Sequence, residues 1–349
     1  MYIMDANGKV GYAVVGLGIG MAHVAAVDSD DNARLVAVCD LKQEKLDEVA
    51  KSHPDTLTYT SFDEMLKNPD IDIISICLPS GMHAEYSIKA MEAGKNVLIE
   101  KPVDITSAAA EKIIETQKRT HLKAGVIHQN RFNLNMRPIK EAIDSGKLGK
   151  IYLGTFEVKW YRAQSYYDNG WHGTWSLDGG GSLINQAVHT VDIMQWLMGK
   201  PVSVFSKYGI FGHNIETEDM TASIFTFENG ATATFVSTTC AYPGICTSVK
   251  IYGTNGSVEA DSDKLSRWSF MDAPEDEEKN MLRKYGRGNG PLCAKDPSLR
   301  VGHSYQVSDI IECVRTGREP VIKPEDAICA VRIIEAVYRS AKTGEVVYL

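Results

Sequence analysis

Short apolar runs alternate with polar breaks through the first third of the chain. "KVGYAVV" (9–15), "RLVAVCD" (34–40), "TLTYT" (56–60), "IDIISICLP" (71–79), "KNVLIE" (95–100) and "KAGVIHQNR" (123–131) are strand-like. Between them lie stretches of helical pattern, starting with "MAHVAAV" and continuing at about 61–67, 83–93 and 106–119. Strands that alternate with helices predict a parallel, doubly wound sheet of the Rossmann type, with ligands at the carboxyl ends of the strands.

From Ile151 the rhythm changes. "IYLGTFEVKWYR", "VSVFSKYGI", "DMTASIFTFENG", "ATATFVSTTC" and "TSVKIYGTNGSVEA" follow one another with hairpin signals at Glu228-Asn229-Gly230 and Thr254-Asn255-Gly256. Strands without crossover helices predict an open, mostly antiparallel sheet. A helix over about 182–198 is expected beside it. Residues 271–300 are charged and aperiodic and suggest a long surface loop that could serve as an active-site flap. Helices near 304–316 and 325–342 and a final strand "VVYL" complete the chain. The expected fold is therefore α/β: a Rossmann dinucleotide-binding domain over 1–130, and a second domain over 131–349 built on the antiparallel sheet. The helix 325–342 is expected to pack back on the first domain.

Composition narrows the partners. The 349 residues carry a net charge of −8 and are 44% hydrophobic and 23% charged. That balance argues against nucleic acid, which needs a basic face. No apolar run has the ~18–20 residues of a membrane span. "MYIMDANGKV" lacks a signal-peptide pattern, so a cytoplasmic location is expected. Seven scattered cysteines fit reduced thiols. The nine histidines form no H-x-x-x-H or H-E-x-x-H pair, so no metal is expected.

Candidate chemistry falls at the strand ends. "GLGIG" (Gly16, Leu17, Gly18, Ile19, Gly20) lies between a strand and a helix, where backbone N–H groups meet a pyrophosphate. Its spacing departs from G-x-G-x-x-G, because Met21 occupies the third slot and Gly20 comes one residue early. Asp40 ends the next strand, where an acidic side chain binds the adenosine ribose and repels a 2′-phosphate; NAD is favoured over NADP. Pro79, Ser80, His83, Glu100, Lys101 and Gln129 lie at the following strand ends and are further cofactor candidates. Lys101 can also hold a substrate hydroxyl and take its proton.

Between the strand "IYLGTFEVKWYR" and the expected helix runs "WYRAQSYYDNGWHGTWSLDGGG", whose aromatic residues suit a sugar face or, alternatively, a hydrophobic plug between domains. The next stretch, "DGGGSLINQAVHTVD", sets Asn185, His189 and Asp192 at helical offsets in an apolar run, so they share one face.

Together, "GLGIG…H", "CDLKQEKL", "LPSGMHAEYSIKAMEAGKNVLIEKP" and "GGGSLINQAVHTVDIMQWLMG" resemble the Gfo/Idh/MocA oxidoreductases along essentially the whole chain. "QNRFN", "WYRAQSYYD" and "WHGTWSLDGGGSLINQ" look closest to the branch of UDP-N-acetylglucosaminuronate 3-dehydrogenase and related sugar 3-dehydrogenases. The resemblance implies hydride transfer between a sugar carbon and a nicotinamide, makes 131–349 the substrate-binding and oligomerisation domain, and implies association as a homodimer or homotetramer. It makes Lys101 and His189 the catalytic pair. Asn185 stands where many relatives have Asp, so it cannot share proton transfer. Arg131, Arg162, Tyr166, Trp171, His172, Asn185, His189 and Tyr305, with His303, are then expected to hold the sugar. Two rivals remain open: an enzyme whose resident NAD is regenerated in each turn, giving epimerisation, sugar–sugar oxidoreduction or glycoside cleavage, and a non-catalytic sensor.

Overall fold

The computed structural model describes residues 8–168, 170–290, 293 and 300–349. The chain divides into two compact units, one of Met1–His128 with Gly302–Ile328 and one of Gln129–Val301 with Cys329–Leu349.

The first unit holds a six-stranded parallel sheet of order β3-β2-β1-β4-β5-β6. Its strands are β1 (Val10–Val15), β2 (Ala33–Cys39), β3 (Leu57–Tyr59), β4 (Ile73–Ile76), β5 (Asn96–Ile99) and β6 (Ala124–Val126). Every residue of β1, β4 and β5 is buried, which is why these strands are continuous apolar runs rather than alternating ones. The strand order reverses between β1 and β4, and the crevice at that reversal is where such sheets take their ligands. Helices α1 (Gly20–Asp28), α2 (Gln43–Ser52), α3 (Phe62–Leu66), α4 (His83–Glu92) and α5 (Ser107–Thr120) make the crossovers.

The segment that returns to this unit is not the one expected. It is the helix Gly302–Thr316, whose Val307, Ile310, Ile311 and Val314 share one core with Val24, Val27 and Leu98. Gln306 fastens it, accepting from the His128 backbone N–H at 2.8 Å and donating to the Val126 carbonyl at 2.7 Å. The helix expected to return, found as Pro324–Thr343, belongs to the second unit from Cys329 onward.

The second unit holds an eight-stranded sheet of order β13-β12-β11-β7-β10-β9-β8-β14. Its strands are β7 (Ile151–Lys159), β8 (Pro201–Gly209), β9 (Met220–Phe227), β10 (Thr232–Thr238), β11 (Cys246–Gly253), β12 (Gly256–Asp261), β13 (Lys264–Phe270) and β14 (Val347–Tyr348). Only β7 and β10 pair in parallel. Burial alternates along β9 and β10, so one face carries Phe225, Phe227 and Phe235 into the core. Helix α6 (Met136–Asp144) follows the start of the unit, and α7 (Val188–Met198) packs on β7. A Cβ at Gly154 would lie 2.2 Å from Met198 Sδ, so the Met198 side chain packs directly on the bare backbone there.

Two expectations change. "KLSRWSF", to which the sequence pattern assigned no element, is a strand, β13, whose two buried side chains, Leu265 and Trp268, stand three residues apart rather than alternating. Residues 271–300 are not simply a loop, because α8 (Glu277–Tyr285) forms there. Its two leading glutamates accept from β13: Trp268 Nε1 donates to Glu277 at 2.7 Å and the Trp268 backbone N–H to Glu278 at 3.1 Å. Residues 291, 292 and 294–299 of the expected flap, and residues 1–7 of the N-terminus, lie outside the described residues. Among the described residues no helix is long and apolar enough to cross a membrane.

Candidate active site

The turn after β1 resolves the displaced glycine. Gly16 has φ +85°, and a Cβ there would lie 2.3 Å from the Cys77 carbonyl oxygen, so this position requires glycine. α1 starts at Gly20, where a Cβ would sit 2.8 Å from Val14 Cγ1. Gly20 therefore does the helix–strand packing normally assigned to the third glycine, one residue early. Met21, in the vacated slot, is 41% exposed. A Cβ at Gly18 would meet nothing within 4 Å, leaving its backbone open to a phosphate. The three glycines thus fit a dinucleotide cradle. Ile19, between them, is exposed.

Asp40 stands at the end of β2 and latches that turn. Its Oδ2 accepts from the Leu17 N–H at 2.7 Å, and its Oδ1 from the Lys42 N–H at 2.9 Å. Burial raises its pKa, but these two donors and the Lys45 ammonium 3.4 Å away outweigh that and hold the carboxyl below its usual range. An ionised carboxylate there suits a ribose diol and opposes a 2′-phosphate.

At the ends of β4 and β5, several predicted cofactor residues are otherwise committed. Pro79 leads into a 3₁₀ turn, Ser80–Met82, with Ser80 buried. His83 Nδ1 lies 2.6 Å from the Pro102 carbonyl and Nε2 2.8 Å from the Leu78 carbonyl, so the ring straps two loops together. Glu100 is 3% exposed. Its Oε1 accepts from His23 Nε2 and from His303 Nε2, each at 2.9 Å, and its Oε2 from the Lys101 backbone N–H at 3.0 Å. Glu100 is therefore bound to histidines rather than presented to a cofactor, and His303 is bound to Glu100 rather than presented to a sugar. Lys101, half-buried, follows β5, and Tyr305 lies in the first turns of the returning helix.

In the second unit, the glycines of "DGGGSLINQ" serve a close approach to protein. A Cβ at Gly180 (φ +154°) would lie 2.1 Å from Tyr338 Oη, and one at Gly181 1.8 Å from the Glu218 carbonyl oxygen. This brings the buried Glu218 carboxyl under the start of a five-residue π turn, Ser182–Gln186, that precedes α7. The carboxyl accepts from the N–H groups of Gly181, Ser182 and Leu183, from Ser182 Oγ at 2.6 Å and from Tyr338 Oη at 2.9 Å. The π turn is irregular, and such turns concentrate at functional sites.

The turn presents Asn185 and Gln186. Asn185 Nδ2 donates to the buried Asp178, its Oδ1 accepts from Gln186 Nε2 at 2.6 Å, and Tyr166 Oη lies 3.3 Å away. Gln186 Oε1 accepts from Arg162 Nη2 at 2.8 Å. Tyr166 stacks on His172 with centroids 4.2 Å apart, Trp171 lies against His172 at 3.6 Å, and the Arg162 guanidinium sits 5.3 Å from the Tyr166 ring. Burial pushes the Tyr166 phenol up to about 12, so it stays protonated. The aromatic segment thus packs partly on itself, with its polar tips tied to Asn185 and Gln186. His189 is 8% exposed, in the first turn of α7. Gln129 Oε1 is buried with no hydrogen-bond partner among the described residues, an acceptor that a ligand donor could satisfy.

Asp192 and Arg131 do not join this set. Arg131 donates to both oxygens of Asp192, Nε to Oδ2 at 2.7 Å and Nη2 to Oδ1 at 2.6 Å, beneath Trp196. Asp192 is 1% exposed, so the pair is a buried strut between α7 and the turn Gln129–Phe132. Helical spacing placed Asp192 on a polar face correctly, but could not show that an arginine covers it.

His23, Asp178, Gln186 and Glu218 were missed. Each is a polar residue in an apolar or glycine-rich stretch, and its partner is remote in sequence. Two side-chain groups among the described residues could hold a metal, His23–Glu100–His303 and His213–Asp219–Cys240. Neither has the H-x-x-x-H or H-E-x-x-H spacing of a local metal motif.

A model of an oxidoreductase family with an NAD-binding Rossmann fold matches residues 10–128, and a GFO/IDH/MocA C-terminal domain model matches 136–259. The WlbA dehydrogenase of Bordetella pertussis, solved with NADH and UDP-GlcNAcA, is 28% identical, with a TM-score of 0.87 covering 98% of this chain and 99% of that one. An aldose-aldose oxidoreductase from Caulobacter crescentus, solved with glycerol, is 26% identical, with a TM-score of 0.79 over 98% of this chain and 100% of that one. Myo-inositol 2-dehydrogenase of Thermotoga maritima is 23% identical over 336 residues, 94% of this chain and 95% of its own.

Proposed function

The chain belongs to the GFO/IDH/MocA oxidoreductases and carries their NAD-binding Rossmann domain, and from that premise we propose that it oxidises a secondary hydroxyl, at carbon 3, of a pyranose sugar, glycoside or nucleotide sugar. The observation that carries this reading is Lys101: it follows β5 in a parallel sheet whose glycine turn fits a dinucleotide, and a buried carboxylate holds its backbone. The cofactor supplies hydride acceptance. Lys101 and His189 handle the proton of the departing hydroxyl. Asn185 donates and accepts but cannot titrate, so it orients the sugar. Tyr166, Trp171, His172 and Arg162 bind the ring and its substituents, and Tyr305 is a further candidate contact. Arg131 is reassigned to the Asp192 strut. The similarity to the WlbA dehydrogenase, whose structure holds UDP-GlcNAcA, puts nucleotide sugars first among the candidates.

A second reading, in which NAD stays bound and is regenerated in each turn, is favoured by the likeness to the aldose-aldose oxidoreductase. One experiment covers both. Free sugars, glycosides and UDP-sugars are incubated with and without added NAD, with NADH absorbance and mass spectrometry as readouts. NADH formation with a product two mass units lighter supports the dehydrogenase. Net conversion without added NAD supports regeneration. Silence across the panel overturns both and revives the sensor reading. We further propose a homodimer or homotetramer through the outer sheet face, where Ile224 is 54% exposed, to be checked by light scattering.

A further inference from the structure

The buried group around Glu100 carries an inference that rests on the dehydrogenase reading and deepens it. All its members lie in the first unit: Tyr12, Ser75, His23, Glu100 and Lys101 around the sheet, and His303 on the returning helix. Tyr12 Oη and Ser75 Oγ are 2.7 Å apart, Ser75 Oγ and His23 Nδ1 2.9 Å, and both imidazole Nε2 atoms are 2.9 Å from the same Glu100 oxygen. The His23 and His303 rings stand 5.2 Å apart, tilted by 59°.

Counting protons along this chain leaves a simple solution. Tyr12 donates to Ser75, and Ser75 to His23 Nδ1. A neutral His23 then carries its proton on Nε2 and gives it to Glu100. His303 donates to the same oxygen, and the Lys101 N–H donates to the other. The chain from Tyr12 to Glu100 is then satisfied in one direction, and Glu100 is an ionised carboxylate with three donors. The shifts agree. Burial lowers the His23 pKa, which keeps the ring neutral, and the two histidine donors overcome burial to hold the Glu100 carboxyl well below the usual range. Cys77 is the other titratable neighbour, and burial with the Glu100 charge raises its thiol well above the ordinary value, so it stays neutral.

We propose that Glu100 is a positioning residue for Lys101. Held by His23 and His303, it pins the Lys101 backbone at the end of β5 and places a fixed negative charge one residue from the lysine. His303 is the variable member, since its side chain is 19% exposed whereas His23 is wholly buried. A displacement of the reacting lysine by about 1 Å costs on the order of 100-fold in rate, which sets the expected size of the effect.

The test compares Glu100→Gln, His303→Gln and His303→Leu in the full chain, with kcat, KM, NAD Kd and the pH profile of kcat/KM on whichever sugar the panel identifies. Glu100→Gln should lower kcat about 10- to 100-fold and shift the alkaline-active limb toward lower pH, since removing a nearby anion favours neutral lysine, with NAD Kd changed less than about threefold. His303→Leu should lose about 10-fold in kcat, and His303→Gln, whose amide can replace the Nε2–H donor, should recover most of it. An NAD Kd weakened more than tenfold with kcat intact would make Glu100 a cofactor ligand and overturn the proposal. Stoichiometric metal in the purified protein, lost in His303→Leu, would overturn it in favour of a metal centre.

Independently of turnover, long-range ¹H–¹⁵N spectra of the wild type should show both histidines protonated on Nε2, with resonances that move in Glu100→Gln. If no sugar is turned over, the functional reading fails while this arm still decides the hydrogen-bond assignment. Histidines protonated on Nδ1 would sink the assignment even in an active enzyme.

Discussion

Glu100 and Glu218 are both buried carboxylic acids that accept several hydrogen bonds, one in each unit, yet they titrate in opposite directions. Burial raises both. At Glu100, the hydrogen bonds donated by two imidazoles reverse that effect. At Glu218, the donors are backbone N–H groups, a serine and a tyrosine, all neutral, and the pKa stands at about 7. The number of hydrogen bonds does not decide whether a buried acid ionises; the kind of donor does, since two imidazoles outweigh burial at Glu100 whereas amides and hydroxyls do not at Glu218. The two sites accordingly differ in kind. The first holds a permanent anion behind Lys101. The second holds an acid that can bind a proton near neutrality, behind the turn that carries Asn185 and Gln186.

The largest expected effect tests what the first anion serves. Lys101→Ala should cut kcat/KM by about 1,000-fold while NAD still binds, read by steady-state kinetics and calorimetry. Near-normal turnover would remove the lysine from the chemistry and with it the purpose of Glu100.

Next is the close approach that buries Glu218. Gly181→Ala places a Cβ 1.8 Å from the Glu218 carbonyl oxygen and should destabilise the protein by about 3 kcal/mol in urea unfolding. Gly18→Ala, with nothing within 4 Å, should leave stability within about 0.5 kcal/mol and instead weaken NAD binding. If both glycines behaved alike, the distinction between a glycine that meets protein and one that faces a ligand would fail.

The pH dependence follows with its sign. Folded Glu218 keeps its proton to about pH 7, whereas an unfolded glutamate releases it near ~4.3. The folded state therefore binds more protons between those values, and stability falls as pH rises through that window, by up to about 3 kcal/mol. Glu218→Gln should flatten this slope in thermal melts from pH 4.5 to 7.5. Glu100 runs the other way: its contribution is present above ~4.3 and is lost as pH falls toward its depressed value. An unchanged slope in Glu218→Gln would assign the neutral-range titration elsewhere.

The smallest effect separates a strut from a substrate contact. Arg131→Lys keeps the charge but loses the fork on Asp192, and should cost about 1–3 kcal/mol of stability with sugar KM nearly unchanged. A large rise in KM with stability intact would return Arg131 to the sugar.

What was legible in the sequence is what local pattern encodes. The all-buried strands of the first sheet, the alternating ones of the second and both hairpin turns announce themselves over fewer than ten residues. The glycine turn was legible as a cradle, but not the work of Gly20, which depends on Val14 and Cys77. Lys101, His189 and Asn185 stood out by motif. Glu100, Arg131 and Asp192 were visible but their partners were not, because His303 lies 203 residues from Glu100 and Arg131 and Asp192 lie 61 apart. A polar residue at a strand end or on a helix face looks the same whether it faces a ligand or a buried ion partner. Only the fold distinguishes them.

The returning segment Gly302–Ile328 also sets an order of events during synthesis. The cofactor unit emerges first from the ribosome, yet it lacks part of its core, the second donor to Glu100 and the side chain that satisfies the His128 N–H until residues 303–314 have been made. The nascent sheet must wait through the whole of the sequence between, leaving apolar surface open to wrong partners. A chain stopped at residue 301 would end as an incomplete cofactor unit, open along the surface that the helix Gly302–Thr316 covers.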